Sequence, residues 1–209
     1  MKYFAFIFTF ALLTACSDKK PGPVLFEKEG KATAVSKNKR ADLTIIPGEN
    51  IGKIALEQNA ETLQDLGKPD LSDSAMGKSW LTWYNKNTTA ENGKSELNIY
   101  TTYKNSDLTE KVIRQIRITS PDFKSVDGIH TGKAFTEIKS VYPNLKYSGK
   151  FSDPGSKNEI EVYDDEVSGV AFEIENDGNR RNCVAIIIHS KGKNVMQEYV
   201  YLHPEFVRG

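Results

Sequence analysis

Two short stretches of the chain, 51–69 and 129–143, repeat one pattern of apolar and polar positions about eighty residues apart. Each contains an isoleucine ahead of a Gly-Lys pair and ends at a proline, which cannot continue a helix. In each stretch, two apolar residues lie three positions apart and therefore share one helix face. These residues are Leu63 with Leu66, and Ile138 with Val141. The pattern predicts two short helices, over 60–66 and 134–142.

Each predicted helix is followed by three runs with the residue types or the alternation of β-strands. The runs are 79–84, 96–103 and 112–118 in the first half, and 159–162, 170–175 and 183–189 in the second. The polar stretches 71–78 and 144–158 are interpreted as loops, and 195–202 as a last edge strand. The predicted fold class is therefore α+β, with two tandem repeats, 43–120 and 121–209, each a short helix packed on a small antiparallel sheet.

Residues 1–15 have the pattern of a secretory signal peptide. Lys2 precedes an apolar run from Tyr3 to Leu13 that is interrupted only by Thr9. A helix that crosses a membrane needs about 20 apolar residues, so this run is too short for one. Its length and its charged start match the hydrophobic region of a signal peptide. A plain secretory signal with an incidental cysteine behind it is the alternative.

The sequence Leu13-Thr14-Ala15-Cys16 resembles the lipobox of bacterial lipoprotein signal peptides. The resemblance implies that Cys16 becomes the first residue, with diacylglyceryl on its sulfur and a third acyl chain, such as palmitate, on its amine. Three chains form a lasting anchor, because each buried methylene contributes about 0.8 kcal/mol and a single chain binds only reversibly. Ser17 resembles the outer-membrane sorting signal. We therefore expect a cell-envelope protein that is lipid-anchored at Cys16, at the outer membrane.

Composition and charge narrow the classes of partner. The chain is 38% hydrophobic and 27% charged, which is an ordinary balance for a globular protein. Residues 17–42 carry seven Lys/Arg and four Asp/Glu, whereas 43–209 carry twenty and twenty-four. We interpret 16–42 as the lipidated cysteine and a flexible tether, either solvated or lying on anionic lipid headgroups. Nucleic acid is not an expected partner, because the body lacks a basic stripe.

Five aromatic residues of the first repeat are the candidate partner-binding residues. They lie on two neighbouring predicted strands and are Trp80, Trp83, Tyr84, Tyr100 and Tyr103. Alternation along a strand places Trp80 and Tyr84 on one face and Trp83 on the other. One face must pack on the helix, and the other is a candidate for an exposed binding patch. The alternative is that both faces are covered, one by the helix and one by the tether or the other repeat.

The sequence contains no recognisable motif for catalysis or for metal binding. The chain has no nucleophile elbow, phosphate loop or HExxH motif. A small hydrolase that uses His189 or His203 with Asp164 or Asp165 is the alternative reading, and it requires these side chains to converge. We otherwise interpret 164–166 as a solvated acidic turn and Cys183 as a small buried hydrophobe. We expect no cofactor, no metal site and no enzymatic activity.

The two repeated stretches, 51–69 and 129–143, also suggest a family. A tandem pair of units, each with a helix stopped by glycine and proline and followed by an antiparallel sheet, resembles β-lactamase inhibitor proteins. A single unit resembles the small SmpA/OmlA outer-membrane lipoproteins. These resemblances imply a non-enzymatic envelope protein that acts by binding an unknown envelope protein. An inhibitor or immunity protein that neutralises an envelope enzyme or a toxin is one alternative function, and the envelope hydrolase is another.

Overall fold

The computed structural model describes residues 43–85, 94–152, 158–198, 203 and 205–209. The predicted signal peptide, the predicted lipidation site at Cys16 and the predicted tether all lie outside the described residues. Among the residues that are described, no helix is long and apolar enough to span a membrane.

The described residues form thirteen strands and three short helices. The strands are β1 (Thr44–Ile46), β2 (Asn50–Ile51), β3 (Ile54–Ala55), β4 (Leu71–Ala75), β5 (Lys78–Tyr84), β6 (Glu96–Tyr103), β7 (Lys111–Ile118), β8 (Lys124–Ser125), β9 (Lys146–Ser152), β10 (Glu159–Asp165), β11 (Val170–Asn176), β12 (Arg181–His189) and β13 (Val207–Arg208). The helices are a 3₁₀ helix (Ala60–Leu66) and two α-helices, α1 (Phe135–Val141) and α2 (Val195–Glu198).

One nine-stranded antiparallel sheet dominates the fold, in the order β13-β9-β10-β11-β12-β7-β6-β5-β4. A small sheet in the order β3-β2-β1-β8 stands apart from it. The prediction of an α+β fold with a separate small sheet in each repeat is therefore wrong, because the molecule is mostly β. The long strands of 43–120 and of 121–209 belong to one sheet, whose two halves are joined where Ile186 of β12 pairs with Ile118 of β7.

The two predicted helices are present near their predicted positions. The first is a 3₁₀ helix, whose start is capped by the Asn59 side chain accepting a hydrogen bond from the Glu61 amide at 2.8 Å. Gly67, at φ +76, ends it. The second is α1, where the Glu137 carboxylate accepts a hydrogen bond from the Ala134 amide at 3.2 Å. Both helices have seven residues, too short to be stable without packing on the sheet.

The larger apolar core includes buried side chains from one face of the nine-stranded sheet, both seven-residue helices and the first two strands of the small sheet. Ile99, Ile116, Ile138, Phe172 and Ile188 belong to it, and each is at most 1% exposed. A smaller apolar cluster lies on the other face and draws on β9, β10 and α2. Strand alternation explains this division, because consecutive side chains point to opposite faces of a sheet.

Two predicted loops are strands. The stretch 71–78 contains β4, and 144–158 contains β9. Neither strand contains a β-branched residue, and β4 has no alternation of apolar and polar positions, so β4 is formed by pairing with its neighbour. In β9, Tyr147 and Phe151 do alternate with polar residues, but Gly149 between them interrupts the apolar positions. In β9, Gly149 lies at φ +150 beside a register shift, and the Phe206 ring and Val207 carbonyl occupy the space a Cβ would need.

The predicted last strand over 195–202 is also wrong where the chain is described. Val195–Glu198 is the one-turn helix α2. The Asn194 side chain accepts a hydrogen bond from the Met196 amide at 2.9 Å, and the Val195 amide donates to Asp164 at 2.8 Å. An asparagine that bonds the following amides favours a helical turn over an extended strand.

Candidate functional site

One edge of the nine-stranded sheet is fully exposed along its outermost strand. All five residues of β4 are exposed, and within the described residues β4 pairs with β5 alone. Leu71 at the start of β4 is 56% exposed, and Met76 just after it is 99% exposed. An exposed strand edge presents backbone groups that are able to pair with another chain.

The turn between β4 and β5 determines which backbone groups face outward. Met76 and Gly77 form a two-residue loop between the paired residues Ala75 and Lys78, with φ values of +49 and +79. Two positive φ angles are typical of a type I′ hairpin, in which the flanking residues form a hydrogen-bonded pair. Hydrogen-bonded pairs alternate along a ladder, so the residues at 71, 73 and 75 bond β5. The amides and carbonyls of Ser72 and Ser74 therefore point away from β5.

Glycine is required at the second position of this turn. The space that a Cβ on Gly77 would occupy lies 2.6 Å from a ring carbon of Tyr103. Tyr103 belongs to β6, so the packing of its ring against Gly77 holds the tip of the hairpin close to the sheet. The hairpin therefore has a defined position although β4 is exposed.

A small hollow lies beside the exposed edge. It has a volume of about 240 Å³ and is lined by Asp73, Ala75, Met76, Lys78, Ser79 and Trp80. Asp73 pairs with Trp80 in the β4–β5 register, and both therefore face the side of the sheet opposite the larger core. The hollow combines an aromatic wall, an exposed methionine, one carboxylate and one ammonium group. Its apolar wall suits an apolar side chain, and Asp73 at its border is able to attract a cation.

The five aromatic residues named from the sequence do not form one surface. Trp83 packs on the larger core, and its indole nitrogen donates to the Gly67 carbonyl at 3.1 Å. Trp80 and Tyr100 lie on the opposite face with ring centroids 5.6 Å apart, and they are only 5% and 3% exposed. The predicted division of Trp80 and Trp83 between two faces is therefore confirmed.

The remaining two aromatics, Tyr84 and Tyr103, are half-buried. The ammonium of Lys94 lies 3.2 Å from the centroid of the Tyr84 ring, and that of Lys111 lies 5.3 Å from the Tyr103 ring. Such cation–π contacts hold the rings in place. Of the five residues, Trp80 is therefore the one that borders the hollow at the edge.

Sequence reasoning missed the edge strand itself. The stretch 71–75 reads Leu-Ser-Asp-Ser-Ala, which resembles a loop in composition. The available signal was the Met76-Gly77 pair directly before an aromatic strand, because a two-residue loop with glycine is typical of a hairpin. A hairpin needs a strand on both sides of its loop, and this requirement would have placed β4.

A buried ion pair lies on the same face as Trp80, where the two halves of the sheet meet. The Arg117 guanidinium donates to both carboxylate oxygens of Glu173, at 2.8 and 2.6 Å, and to the Asn98 amide oxygen at 2.7 Å. The side chains of Arg117 and Glu173 are 8% and 1% exposed. Arg117 belongs to β7 and Glu173 to β11, with β12 between them. The small side chain of Ala185, which pairs with Glu173, leaves room on β12 for the guanidinium to cross.

A cleft of about 510 Å³ opens beside this pair and includes His203 in its wall. The His203 ring stacks on Phe151 with centroids 3.7 Å apart and 11° between the planes. Its Nε2 atom is buried without a hydrogen-bond partner, and Nδ1 lies 4.0 Å from the Glu205 carboxylate. Burial is the main cause that lowers the pKa of His203 below its usual value. The ring is therefore held as neutral imidazole near neutral pH.

The second histidine of the hydrolase alternative does meet a carboxylate. Nε2 of His189 lies 2.9 Å from Asp164 Oδ1, and Nδ1 lies 3.2 Å from the Ser190 carbonyl. The side chains of His189 and Asp164 are 1% and 0% exposed. Both ring nitrogens are engaged and solvent does not reach them, so neither nitrogen is placed to take a proton from a substrate. His203 stacks on Phe151 and does not join this pair.

The acidic run is not the solvated turn that its composition suggested. Asp164 and Asp165 are both 1% exposed, and Asp165 accepts hydrogen bonds from the Val167 and Ser168 amides at 3.1 Å. Asp165 therefore stabilises the turn between β10 and β11, whereas Asp164 contacts His189 and accepts a hydrogen bond from the Val195 amide. Cys183 is buried in β12 as predicted, and burial raises the pKa of its thiol far above the usual value. Across the described ranges, no three His, Cys, Asp or Glu side chains are grouped to hold a metal ion.

Comparisons with known proteins give no family. No family model matches the chain, and no curated protein matches it either. The chain is similar to the uncharacterized protein yfeY from Escherichia coli, a solved crystal structure, with 11% identity and a TM-score of 0.37. The match covers 69% of this chain and 98% of that one. A likeness of this size assigns neither a family nor an activity.

Proposed function

We propose that this protein is a cell-envelope lipoprotein, anchored through acyl chains on Cys16, that acts by binding another protein at the β4–β5 hairpin. The observation that carries the proposal is the exposure of all five residues of β4, at a sheet edge that ends in the 99% exposed Met76. Natural sheets usually cover, shorten or bulge their edges, because an open edge pairs with other chains.

The anchor and the tether support the same function. Acyl chains on Cys16, as its lipobox-like sequence implies, would hold the protein at a membrane, and Ser17 favours the outer membrane. The predicted tether over 17–42 would let the body reach a neighbouring protein. An inhibitor or immunity protein for an envelope enzyme or toxin would use the same surface. The small hydrolase is the less supported alternative, since the His189–Asp164 pair is closed to solvent.

Capture from solubilised envelopes tests the proposal. The tagged full chain is compared with a variant that carries Leu71→Ser and Met76→Asn, two changes that remove exposed apolar side chains and leave the core intact. Asparagine tolerates the left-handed backbone of position 76. Val126→Ser, at a position that is 79% exposed elsewhere, is the matched control.

We expect one specific envelope protein to be retained by the parent chain and by Val126→Ser, and lost with the hairpin variant. Retention of the same protein by all three chains would refute the role of the hairpin. The anchor is tested separately by Cys16→Ala, which should release the protein from the detergent phase. A Cys16→Ala chain that still partitions into detergent would contradict lipidation.

A further inference from the structure

Among the described residues no strand lies on the outer side of β4, and the geometry of this edge defines what can pair with it. We infer that β4 receives an extended segment of the partner protein as an additional strand, and that this segment carries a basic residue opposite Asp73. The inference rests on the proposed function, since it specifies how the hairpin would bind. Strand addition needs backbone groups that point away from β5 and a side-chain pattern that complements β4. The edge must also disfavour pairing with β4 of a second copy of this chain.

The outward backbone groups come from Ser72 and Ser74. Each contributes one amide donor and one carbonyl acceptor on the side away from β5, as the type I′ turn at Met76-Gly77 dictates. Four such groups are enough to hold an extended segment of about five residues in register. Both serines are exposed, so no described residue has to move before a strand is added.

The side-chain pattern follows from the same register. Asp73 bonds its backbone to β5, so a new strand meets it in a non-hydrogen-bonded pair, where the Cα atoms approach to about 4.5 Å. A cation in the partner at that position is attracted to the carboxylate. The partner residues two positions away on either side share the face of Asp73. One of them meets the hollow beside Met76 and Trp80, and the other lies opposite Leu71, which is 56% exposed. The expected segment is therefore apolar–any–basic–any–apolar.

Charge also argues against a second copy of β4 as the occupant. Two β4 strands that use all four outward groups must pair Ser72 with Ser74 of the other copy, in antiparallel direction. Asp73 then lies directly opposite Asp73 of the other copy. Like charges in direct cross-strand contact are destabilising. The single carboxylate thus disfavours self-pairing and favours a basic partner strand.

The test uses two synthetic peptides and the full chain in detergent micelles. The probes are acetyl-Val-Thr-Lys-Thr-Val-amide and the same peptide with glutamate in place of lysine, titrated to millimolar concentration against ¹⁵N-labelled protein. We expect the amide signals of Ser72 and Ser74 to shift. The lysine peptide should bind about twofold to fivefold more tightly, as a cross-strand charge pair contributes little more than that. The preference should weaken at high salt.

Three variants make the test decisive. Ser74→Pro removes an outward amide while an edge position tolerates proline, so it should abolish the shifts. Asp73→Asn should remove the preference for lysine, whereas Asp127→Asn, an exposed carboxylate in the loop after β8, should keep it. Unshifted Ser72 and Ser74 amides, or equal binding of both peptides, would overturn the inference. So would a dimer in sedimentation velocity that Ser74→Pro dissociates, because the edge would then belong to a second copy.

The outcome is distinguishable from failure of the proposed function. If the Leu71→Ser/Met76→Asn chain loses its captured partner but the peptides leave Ser72 and Ser74 unshifted, the hairpin binds a protein without strand addition. If the captured partner is indifferent to the hairpin, the proposed function itself fails.

Discussion

The Arg117–Glu173 pair offers the sharpest test of how the two halves of the sheet are held together. Replacing Arg117 with methionine leaves a carboxylate that is 1% exposed without its bidentate donor. Removing one partner of a buried ion pair typically costs about 3–5 kcal/mol of unfolding free energy, because the remaining charge stays desolvated. We expect Arg117→Met and Glu173→Met each to lose stability in this range.

The double variant separates this explanation from simple loss of volume. With both charges gone, two apolar side chains replace the pair, and such replacements are often neutral or stabilising. The Asn98 amide oxygen loses the guanidinium donor at 2.7 Å, which costs about 1–3 kcal/mol for an unsatisfied buried acceptor. We therefore expect the double variant to be more stable than either single variant.

Urea unfolding followed by tryptophan fluorescence measures these differences, provided that the slopes with denaturant stay equal among the variants. Glu96→Gln is the matched control. Glu96 contacts the same guanidinium at 3.3 Å but is 34% exposed, so its loss should cost about 0–1 kcal/mol. If the losses of the two single variants simply add in the double variant, the two side chains are not coupled and the reasoning is refuted.

Two further outcomes follow from the core and from the stacked histidine. Phe172→Ala should lower the unfolding free energy by about 3–5 kcal/mol in the same assay, because Phe172 is 1% exposed and packs on the Tyr142 ring. The control Val126→Ala should change it by less than about 0.5 kcal/mol, because Val126 is 79% exposed. A small effect at Phe172 would contradict its burial. Burial lowers the pKa of His203 in the folded state, so the unfolded state binds the proton more readily, and stability should fall as pH drops below about 6.5. His203→Phe keeps an aromatic ring stacked on Phe151 and should remove the loss of stability that protonation of His203 causes. If stability depends on pH in the same way in this variant, His203 is not the group responsible.

The sequence by itself located the two short helices and most of the long strands. Helical spacing at Leu63 and Leu66 and the stop at Gly67 mark the first helix, and alternation over 170–175 marks β11. These signals are local, because backbone propensity and the burial of one face act within a few residues. The same signals put Trp80 and Trp83 on opposite faces and Cys183 inside a buried strand.

Tertiary structure alone decided the edge strand, the single large sheet and the ion pair. β4 contains Leu71, Ser72 and Asp73, whose side chains are all exposed, so the strand depends on the backbone partners that β5 offers. The union of two expected small sheets depends on β12 pairing with β7, about seventy residues earlier in the chain. Arg117 and Glu173 meet for the same reason. Contacts between residues so far apart depend on which strand edges remain unpaired once local structure has formed. The local pattern of apolar and polar positions does not determine which edges those are.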